Sequence, residues 1–400
     1  MASPMKNSDN IVILSGARTP IGGFQGALQN LSAPELAGAC IRACLEQTEI
    51  DKDKIEAVFM GCVLPAGQGQ APARQAGFSA GLEAHSGAVT LNKMCGSGLY
   101  AVMMAHDLIA AGTHKIITAG GMESMSQAPY LLKGARAGYK MGHGQVYDHM
   151  FIDGLEDVYE PGRLMGVFAE DCASHYNFSR KDQDNFAIRS LERAQKAIKE
   201  NIFTSEIVPI TIPQKNASEL VENDEQPLKA NIEKIPQLKP AFAKDGTVTA
   251  ANASSISDGA AALIISSSSF ARENEIPVKA RIIAHAVHSQ TPKWFTTAPV
   301  GAIRKVLDKA GWAVESVDLF EINEAFACVP MAAMKELDIP ADKVNVHGGA
   351  CALGHPIGAS GARILTTLLA ALEKYDLEKG IASLCLGGGE AVAMAVQRSR

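Results

Sequence analysis

One cysteine occupies a turn that can present a reactive side chain. An apolar stretch, Ala88 to Leu91, runs into Asn92-Lys93-Met94-Cys95-Gly96-Ser97-Gly98, and a small, apolar, helix-like stretch, Leu99 to Ala111, follows. Glycines beside a strand-to-helix turn permit a sharp bend that points one side chain into a cleft. A thiol at the start of a helix also feels the positive end of the helix dipole, which favours the thiolate. Cys95 is therefore the candidate nucleophile, and the alternative for any single cysteine is a buried packing role.

A glycine-rich segment, Val344 to Gly358, presents a histidine that can relay protons. Its sequence, VNVHGGACALGHPIG, predicts a tightly folded backbone with His355 held by the proline after it. His347, Cys351 and His355 repeat every four residues, which binds zinc only on a helix, and the glycines and proline disfavour a helix there. A phosphate-binding loop is a further alternative, but the Lys-Ser/Thr ending of that motif is missing.

Two further strand ends carry candidate catalytic groups. The run Ile381 to Leu384 is followed by Cys385-Leu386-Gly387-Gly388-Gly389-Glu390. Free N–H groups in such a turn can face a developing oxyanion, which makes Cys385 a candidate acid/base thiol. The run Val317 to Phe320 leads into Glu321-Ile322-Asn323-Glu324-Ala325-Phe326-Ala327, which places an amide and two carboxylates where α/β sites gather. The alternative for this segment is the exposed start of a helix, which has a similar composition.

The elements that must position these residues follow an α/β pattern and repeat once. The Cys95-Gly96-Ser97-Gly98 turn, its apolar helix and the strand ending Gly120-Gly121-Met122-Glu123 have counterparts downstream. These are Gly358-Ala359-Ser360-Gly361, another apolar helix, and the Gly387 to Glu390 turn. A third pair of segments also matches, and the members of the three pairs are 262, 263 and 267 residues apart. These nearly constant offsets predict two similar α/β halves.

An insertion separates the two halves. Residues 125–250 are rich in charged, helix-like stretches and in prolines, and an apolar, strand-like run follows. We expect an N-terminal half of residues 1–124 with 251–278, an inserted loop domain of residues 125–250, and a C-terminal half of residues 279–400. A loop domain in this position usually builds a ligand site.

Composition and charge exclude several classes of protein. A net charge of −6 argues against nucleic acid as a partner. No apolar run is long enough for a membrane span, and the N-terminus lacks the apolar core of a signal peptide, so we expect a cytoplasmic enzyme. The eight cysteines are scattered and form no CxxC pair, which disfavours both a disulfide framework and a structural zinc site.

These residues, in this order, resemble the thiolase family over nearly the whole chain. The matching stretches are Gly16 to Pro20, Gly67 to Gln75, the Cys95 turn, Gly120 to Ser126, Gly246 to Ser254, Asn323 to Phe326, Gly348 to Arg363 and the Cys385 glycine turn. The resemblance implies a thiolase fold, with two similar α/β halves in a five-layer αβαβα body and an inserted loop domain. It also implies a homotetramer built as a dimer of dimers, or at least a dimer.

The resemblance also implies a role for each catalytic candidate. Cys95 would attack the thioester, and His355 would activate it. Cys385 would move the α-proton of the second acyl-CoA, and two thiols suit this scheme because one is nucleophile while the other is base. Asn323 would hold a water that forms one oxyanion hole with His355, and the N–H groups of Cys95 and Gly387 would form the other. No metal and no cofactor are expected, because coenzyme A thioesters are themselves the substrates.

The coenzyme A contacts implied by the resemblance lie against the loop domain. They are Ala253, Ser254, Phe242, Met165, Ala325, Phe326 and Lys229. The chain departs from the family at Leu164, where a histidine is common, and near Pro227, where a basic residue is displaced and Lys229 is the replacement. Glu390 is also less common than an uncharged residue.

The expected reaction is the reversible condensation of two acetyl-CoA to acetoacetyl-CoA plus CoA. The stretch Gly120 to Pro129 is similar to the short-chain branch of the family, and Met125 and Met165 are expected to fill the space beyond a two-carbon acyl group. The alternative is a broader-chain 3-ketoacyl-CoA thiolase of fatty-acid degradation. A ketoacyl synthase would have a second catalytic histidine at Cys385, and a non-catalytic scaffold would have lost a catalytic residue.

Overall fold

The secondary structure comes from a computed structural model that describes residues 9–213 and 218–399. In chain order its strands are β1 (Ile11–Arg18), β2 (Gly22–Gly23), β3 (Ala57–Gly61), β4 (Gly87–Leu91), β5 (Ile116–Ser124), β6 (Tyr130–Leu131), β7 (Tyr147–Asp148), β8 (Ile210–Pro213), β9 (Ser218–Val221), β10 (Ser257–Ser267), β11 (Ala280–Ser289), β12 (Leu319–Ile322), β13 (Lys379–Leu386) and β14 (Glu390–Arg398). Its α-helices are α1 (Ala33–Thr48), α2 (Pro72–Ser79), α3 (Ser97–Ala110), α4 (Met165–Tyr176), α5 (Arg180–Lys199), α6 (Glu225–Lys229), α7 (Ser268–Glu273), α8 (Ala298–Ala310), α9 (Cys328–Leu337), α10 (Ala350–Leu353) and α11 (Ser360–Lys374).

The central strands form one 10-stranded sheet that contains the same arrangement twice. The N-terminal strand set runs β4-β3-β5-β10-β1, and the C-terminal strand set runs β12-β13-β14-β11. Within both sets the first pairs are parallel and the later pairs antiparallel. The sets meet where β1 pairs with β11, at Val12 with Arg281 and Ile13 with Ala280. The sequence repeat therefore corresponds to a repeated sheet.

The helices form three layers around the two strand sets. Helix α1 packs on β1, β5 and β10, whereas α8 packs on β11, β13 and β14. Helices α3 and α11 contact each other and strands of both sets, so they lie between them. This arrangement confirms the expected αβαβα order.

Small residues allow the two central helices to touch at their N-terminal ends. A Cβ at Gly98 would lie 2.8 Å from the Ala362 backbone nitrogen, and a Cβ at Gly361 would lie 2.4 Å from the Leu99 backbone nitrogen. A helix between two sheets is apolar on most of its circumference. Helix α11 accordingly has twelve of its residues buried, and the eight residues of β1 are buried as well, as expected for a strand covered on both faces.

A buried arginine attaches the inserted segment to the body. Arg18, at the end of β1, donates two hydrogen bonds to the Asp224 carboxylate, at 2.7 and 2.9 Å, and one to Glu206 at 2.6 Å. All three side chains are buried. Removal of one member of such a group typically costs about 3–5 kcal/mol, because an uncompensated charge stays buried. The limits of the three expected domains stay predictions.

Among the described residues, no helix combines the length and hydropathy that a membrane-crossing segment needs.

Candidate active site

Cys95 lies on a braced turn between β4 and α3. The turn residue with a left-handed backbone is Met94, with a φ of 48°, and its N–H donates to Asn92 Oδ1 at 2.8 Å. The Lys93 N–H donates to Ser97 Oγ at 2.8 Å, and the Ser97 hydroxyl donates to the Met94 carbonyl oxygen at 2.6 Å. The bend is therefore held by side-chain hydrogen bonds rather than by a glycine with a positive φ.

The glycine after Cys95 is required by a close approach and not by backbone conformation. A Cβ at Gly96 would lie 2.3 Å from Leu386 Cδ2, so the nucleophile turn could not approach the end of β13 with a larger residue. Burial raises the pKa of the Cys95 thiol to about 11, although the N–H groups of Gly387 and Cys95 itself act to lower it. The sequence favoured a thiolate, but in the free enzyme burial wins and the thiol is protonated, so a base is needed.

His355 is oriented to be that base. Its Nδ1 lies 2.5 Å from Ser360 Oγ, and the Ser360 hydroxyl donates to the Pro356 carbonyl oxygen at 2.9 Å. Because the only hydroxyl proton is used there, Ser360 accepts the proton of Nδ1, and Nε2 keeps its lone pair. Within the described part of the chain, this buried Nε2 has no hydrogen-bond partner. Burial and the nearby Arg363 lower the pKa of His355 to about 3, which keeps the imidazole neutral.

Cys385 ends β13 beside the first thiol. It is 1% exposed, and burial together with the proximity of Cys95 raises the pKa of its thiol well above the ordinary value. The turn that follows has left-handed backbone at Gly388 and Gly389, with φ values of 90° and 87°. This turn directs the Gly387 N–H towards Cys95, as an oxyanion hole would require.

Asn323 is buried directly after β12. Its N–H donates to the Ser383 carbonyl oxygen at 3.0 Å, while neither Oδ1 nor Nδ2 of its side chain has a partner among residues 9–213 and 218–399. An unsatisfied buried amide is costly unless it serves a purpose such as holding a water or substrate atom. Asn323 does not itself line the cavity described below.

The two carboxylates near Asn323 have structural contacts. Glu324 accepts hydrogen bonds from Ser190 Oγ at 2.7 Å, Asn345 Nδ2 at 2.8 Å and the Cys351 N–H at 3.1 Å. Glu321 lies 3.7 Å from the buried Arg363 guanidinium. Both therefore stabilise the loops behind the site rather than line it.

The catalytic candidates line one cavity of about 390 Å³. Cys95, His355, Cys385 and Gly387 lie along its wall. So do most of the expected coenzyme A contacts, namely Met165, Phe242, Ala253, Ser254, Ala325 and Phe326. The N–H of Ser254 donates to the Ala325 carbonyl oxygen at 2.9 Å, which joins the two loops. Two thiols and an imidazole therefore face a largely apolar chamber.

Three expected residues do not line the cavity, namely Asn323, as described above, Lys229 and Met125. Lys229 is largely exposed, forms an ion pair with Glu225, and does not line the cavity. Met125 is buried in a cluster with Val63 and Ile357 and does not itself line the cavity. Ile357 lines the cavity, as do Cys95, Leu155 and Ile256, which pack against the same cluster. That Met125 limits the acyl space therefore stays a prediction, and it could do so only indirectly.

The four-residue histidine spacing does not converge on one point. A single helical turn, α10, forms between Gly349 and Gly354, where no helix was expected. His347 Nε2 nevertheless lies 3.2 Å from the Tyr375 hydroxyl, while Cys351 Sγ contacts the Glu324 carbonyl oxygen at 3.6 Å. His355 alone reaches the cavity.

Sequence reasoning missed two residues that support the site. Ser360 orients His355, and its position in the repeat, equivalent to Ser97, could have indicated it. Glu123 is fully buried and accepts hydrogen bonds from the N–H groups of Val63, Leu64 and Gly358 at 2.9, 3.1 and 2.8 Å. Burial raises the pKa of Glu123 to about 7. It connects a loop of one strand set to the histidine loop of the other.

Two repeated strand sets, central paired helices and a nucleophilic thiol facing a histidine and a second thiol define a thiolase-type site. The model of the thiolase N-terminal domain matches residues 11–269, and that of the thiolase C-terminal domain matches residues 276–398. The chain belongs to the thiolase family and is an acyltransferase.

Relatives named acetyl-CoA acetyltransferase cover the chain almost completely. It is 48% identical to the acetyl-CoA acetyltransferase of Pseudomonas aeruginosa over 97% of this chain and 99% of that protein. It is 46% identical to the acetyl-CoA acetyltransferase of Cupriavidus necator over the same shares. The crystal structure of the Bacillus anthracis acetyl-CoA acetyltransferase superposes with a TM-score of 0.95 at 40% identity, over 98% of this chain and 99% of that one.

Proposed function

We propose that this protein is an acetyl-CoA acetyltransferase, which joins two acetyl-CoA into acetoacetyl-CoA and CoA through an acetyl-Cys95 intermediate. The observation that carries the proposal is the cavity in which the Cys95 thiol, the unpartnered Nε2 of His355 and the Cys385 thiol meet. The names of the relatives support the two-carbon acyl group.

The first half-reaction uses the His355 lone pair. Nε2 takes the Cys95 proton, the thiolate attacks the carbonyl carbon of acetyl-CoA, and the oxyanion accepts hydrogen bonds from the N–H groups of Cys95 and Gly387. Collapse expels the coenzyme A thiolate, which takes the proton from Nε2. The products are free CoA and acetyl-Cys95, with His355 neutral again.

Acetylation of Cys95 prepares Cys385 for the second half-reaction. An acetylated sulfur cannot carry a negative charge, so the contribution of Cys95 to the raised Cys385 pKa disappears, and burial with the smaller contribution of Cys172 still opposes ionisation. His355 Nε2, which lines the same cavity, takes the Cys385 proton, and the resulting thiolate removes the α-proton of a second acetyl-CoA. The enolate carbon attacks the acetyl carbonyl, the Cys95 sulfur leaves, and Cys385 returns the proton to it. Asn323, through a water, and the protonated Nε2 of His355 would donate hydrogen bonds to the enolate oxygen, and Nε2 then gives its proton back to Cys385.

No cofactor other than the coenzyme A thioesters is part of this proposal. The pantetheine arm would lie along Ala253 and Ser254, with the Phe242 ring beside it, because these residues line the cavity on its inserted-segment side. Lys229, on the surface with a largely exposed ammonium group, would meet the phosphates only after leaving Glu225.

Acetoacetyl-CoA is the substrate we propose for cleavage. Met165 and Phe295 line the cavity and limit its volume near Cys95. A misfit methylene changes transition-state binding by only about 1–3 kcal/mol, so discrimination should be graded. A kcat/KM that stays flat or rises from C4 through C6 to C10 3-ketoacyl-CoAs would instead support the broader-chain thiolase of fatty-acid degradation.

We also propose a cytoplasmic homotetramer. Strand β4 is an edge strand of the sheet, is partly exposed and leads directly into the Cys95 turn, and exposed edges favour pairing with another chain. The segment around β6 and β7 exposes the large hydrophobic side chains of Tyr130, Leu132 and Met141. Exposed apolar surface of this kind suits a second interface between subunits. Light scattering of the purified protein distinguishes a tetramer from a dimer or monomer.

The decisive experiment maps the acyl group. Enzyme mixed with acetyl-CoA, quenched with acid and digested should carry one acetyl group, on the peptide that contains Cys95. Acetylation of Cys385 or of another residue would contradict the proposed intermediate.

A further inference from the structure

A cluster of ligating side chains lies outside the cavity, near the C-terminal end of α3. His106 and Asp107 are neighbours on α3, and His285 lies on β11. Within the described ranges, 9–213 and 218–399, this is the only group of three His, Cys, Asp or Glu side chains whose ligand atoms all lie within 4.8 Å of one another. The reaction proposed above does not use it.

The three ligand atoms form a compact triangle. His106 Nδ1 lies 2.9 Å from Asp107 Oδ1, His285 Nε2 lies 2.8 Å from the same oxygen, and the two ring nitrogens are 3.2 Å apart. Atoms bound tetrahedrally to zinc at about 2.0–2.1 Å are about 3.3–3.4 Å from one another. The side chains therefore need to separate by only a few tenths of an ångström to hold an ion.

We propose that His106, Asp107 and His285 bind a divalent transition-metal ion of the zinc class. Two imidazole nitrogens and one carboxylate oxygen suit zinc, whereas calcium and magnesium require mostly oxygen ligands. Three protein ligands leave a fourth position for water. Asp107 is 64% exposed, so the ion can enter from solvent, while the two histidine side chains are more than three-quarters buried.

The charges around the cluster are compatible with a cation. The Asp107 carboxylate supplies a negative charge at the cluster, and both histidine rings lie within 2.9 Å of its Oδ1. A positive charge that opposes cation binding lies nearby on Lys309. Its Nζ donates a hydrogen bond to the His285 carbonyl oxygen at 3.0 Å.

The ion would join the two strand sets far from the reaction. Helix α3 follows the Cys95 turn of the N-terminal strand set, whereas β11 belongs to the C-terminal strand set. His106 is nine residues along α3 from Ser97, which is about 14 Å at 1.5 Å per residue. We therefore expect the bound ion to affect the stability of the fold rather than the reaction, since a ligand that binds only the folded state opposes unfolding.

Titration of the chelator-treated full-length protein with Zn²⁺ tests the site. Asp107→Asn and His285→Gln should weaken binding of one ion per chain by at least about 10-fold, since even outer-shell changes cost 10- to 100-fold. His114→Gln is the matched control, because His114 is similarly part-buried but pairs with a single carboxylate, Glu56 at 3.3 Å, and otherwise packs edge-on against Phe59. Zn²⁺ should raise the unfolding temperature of the wild type and of His114→Gln, and not that of Asp107→Asn.

Cobalt binding distinguishes a metal ion held by this cluster from one held by the cysteines of the cavity. Co²⁺ bound by imidazole and carboxylate gives visible absorption without the intense near-ultraviolet band of a thiolate ligand. Such a band, or equal zinc affinity of the wild type and both ligand variants, would overturn the proposal, as would the lack of one-to-one binding. Because Asp107 is exposed, Asp107→Asn should fold and keep wild-type acyl-transfer activity, so it decides the question even if His285→Gln does not fold.

Discussion

The two halves carry equivalent turns at the N-terminal ends of the two central helices, but with different side chains. The turn before α3 carries Cys95, the proposed nucleophile, and the turn before α11 carries His355, the proposed base. Ser97 and Ser360 have equivalent positions, but the Ser97 hydroxyl braces its own turn while Ser360 accepts the His355 ring proton. A duplicated backbone can thus supply both partners of a proton transfer.

The contact between the two central helices explains why the pair works together. Gly98 and Gly361, each the second residue of its helix, allow the N-terminal ends of α3 and α11 to touch. The positive ends of both helix dipoles therefore lie near Cys95 and His355, where they would stabilise the oxyanion of the proposed reaction. The same burial keeps the resting thiol and imidazole neutral.

The two glycine–glutamate segments of the repeat, Gly120 to Glu123 and Gly387 to Glu390, differ more in backbone structure than the two helix turns do. In β5, Gly120 and Gly121 continue the strand, and a Cβ there would lie 2.1 Å from Ala261 O or 2.0 Å from Gly358 O. In the C-terminal strand set, Gly388 and Gly389 instead form a left-handed turn. Similar sequences thus serve close packing in one half and an oxyanion-hole turn in the other.

Removal of the nucleophile should have the largest effect. Cys95→Ala should lower both cleavage and condensation by at least about 10⁴-fold, because no covalent intermediate can form. Steady-state assays in both directions measure this, and circular dichroism checks the fold. A variant that retains a tenth of the activity would show that the N-terminal turn does not carry the nucleophile.

Removal of the second thiol should separate the half-reactions. Cys385→Ser should still form acetyl-Cys95 but lose condensation by about 10²–10⁴-fold, because only the second step needs a base at the α-carbon. Quenched-flow mass measurement follows acetylation, and acetoacetyl-CoA formation follows condensation. Equal losses in both steps would contradict this division of labour.

The equivalent serines should respond differently to the same change. Ser360→Ala should slow Cys95 acetylation about 5- to 150-fold, equivalent to about 1–3 kcal/mol, because the His355 ring loses its partner. Ser97→Ala, its matched counterpart, should lower mainly the free energy of unfolding, since its hydroxyl contacts only backbone of the Cys95 turn. A comparison of acetylation rates and chemical denaturation for both variants tests the contrast, and identical responses would contradict it.

Local sequence patterns predicted the strands and most of the cavity-lining candidates better than the geometry between them. The run Ile116 to Ala119 lies in β5, and the helix expected from Leu99 to Ala111 is α3 within two residues at its start and one at its end. The left-handed residue Met94, the support from Glu123 and the triangle of His106, Asp107 and His285 were not foreseen. The Glu123 contacts and the triangle join segments far apart in sequence, which periodicity and turn chemistry do not encode. Met94 instead adopts its conformation within a turn that local side-chain hydrogen bonds hold.

The smallest expected effect concerns the one ion pair that links the Cys95 turn to the glycine turn. Lys93 Nζ lies 2.5 Å from Glu390 Oε2, and Glu390 also accepts a hydrogen bond from Ser289 Oγ at 3.0 Å. Because Lys93 is two residues before Cys95 and Glu390 three after Gly387, the pair helps to set the distance between the thiol and the Gly387 N–H. Both side chains are partly exposed, and exposed pairs contribute about 0.2–1 kcal/mol.

Glu390→Gln should therefore slow Cys95 acetylation by about 1.4- to 5-fold with an unchanged KM for acetyl-CoA, as expected for a positioning contact felt in the transition state. Lys93→Gln should have the same effect, and the double variant should be no slower than either, since one interaction is lost in all three. Glu83→Gln is the control, because it breaks a surface pair with Lys52 remote from the site. Additive losses in the double variant, or a rise in KM alone, would show that the pair does not couple the two turns.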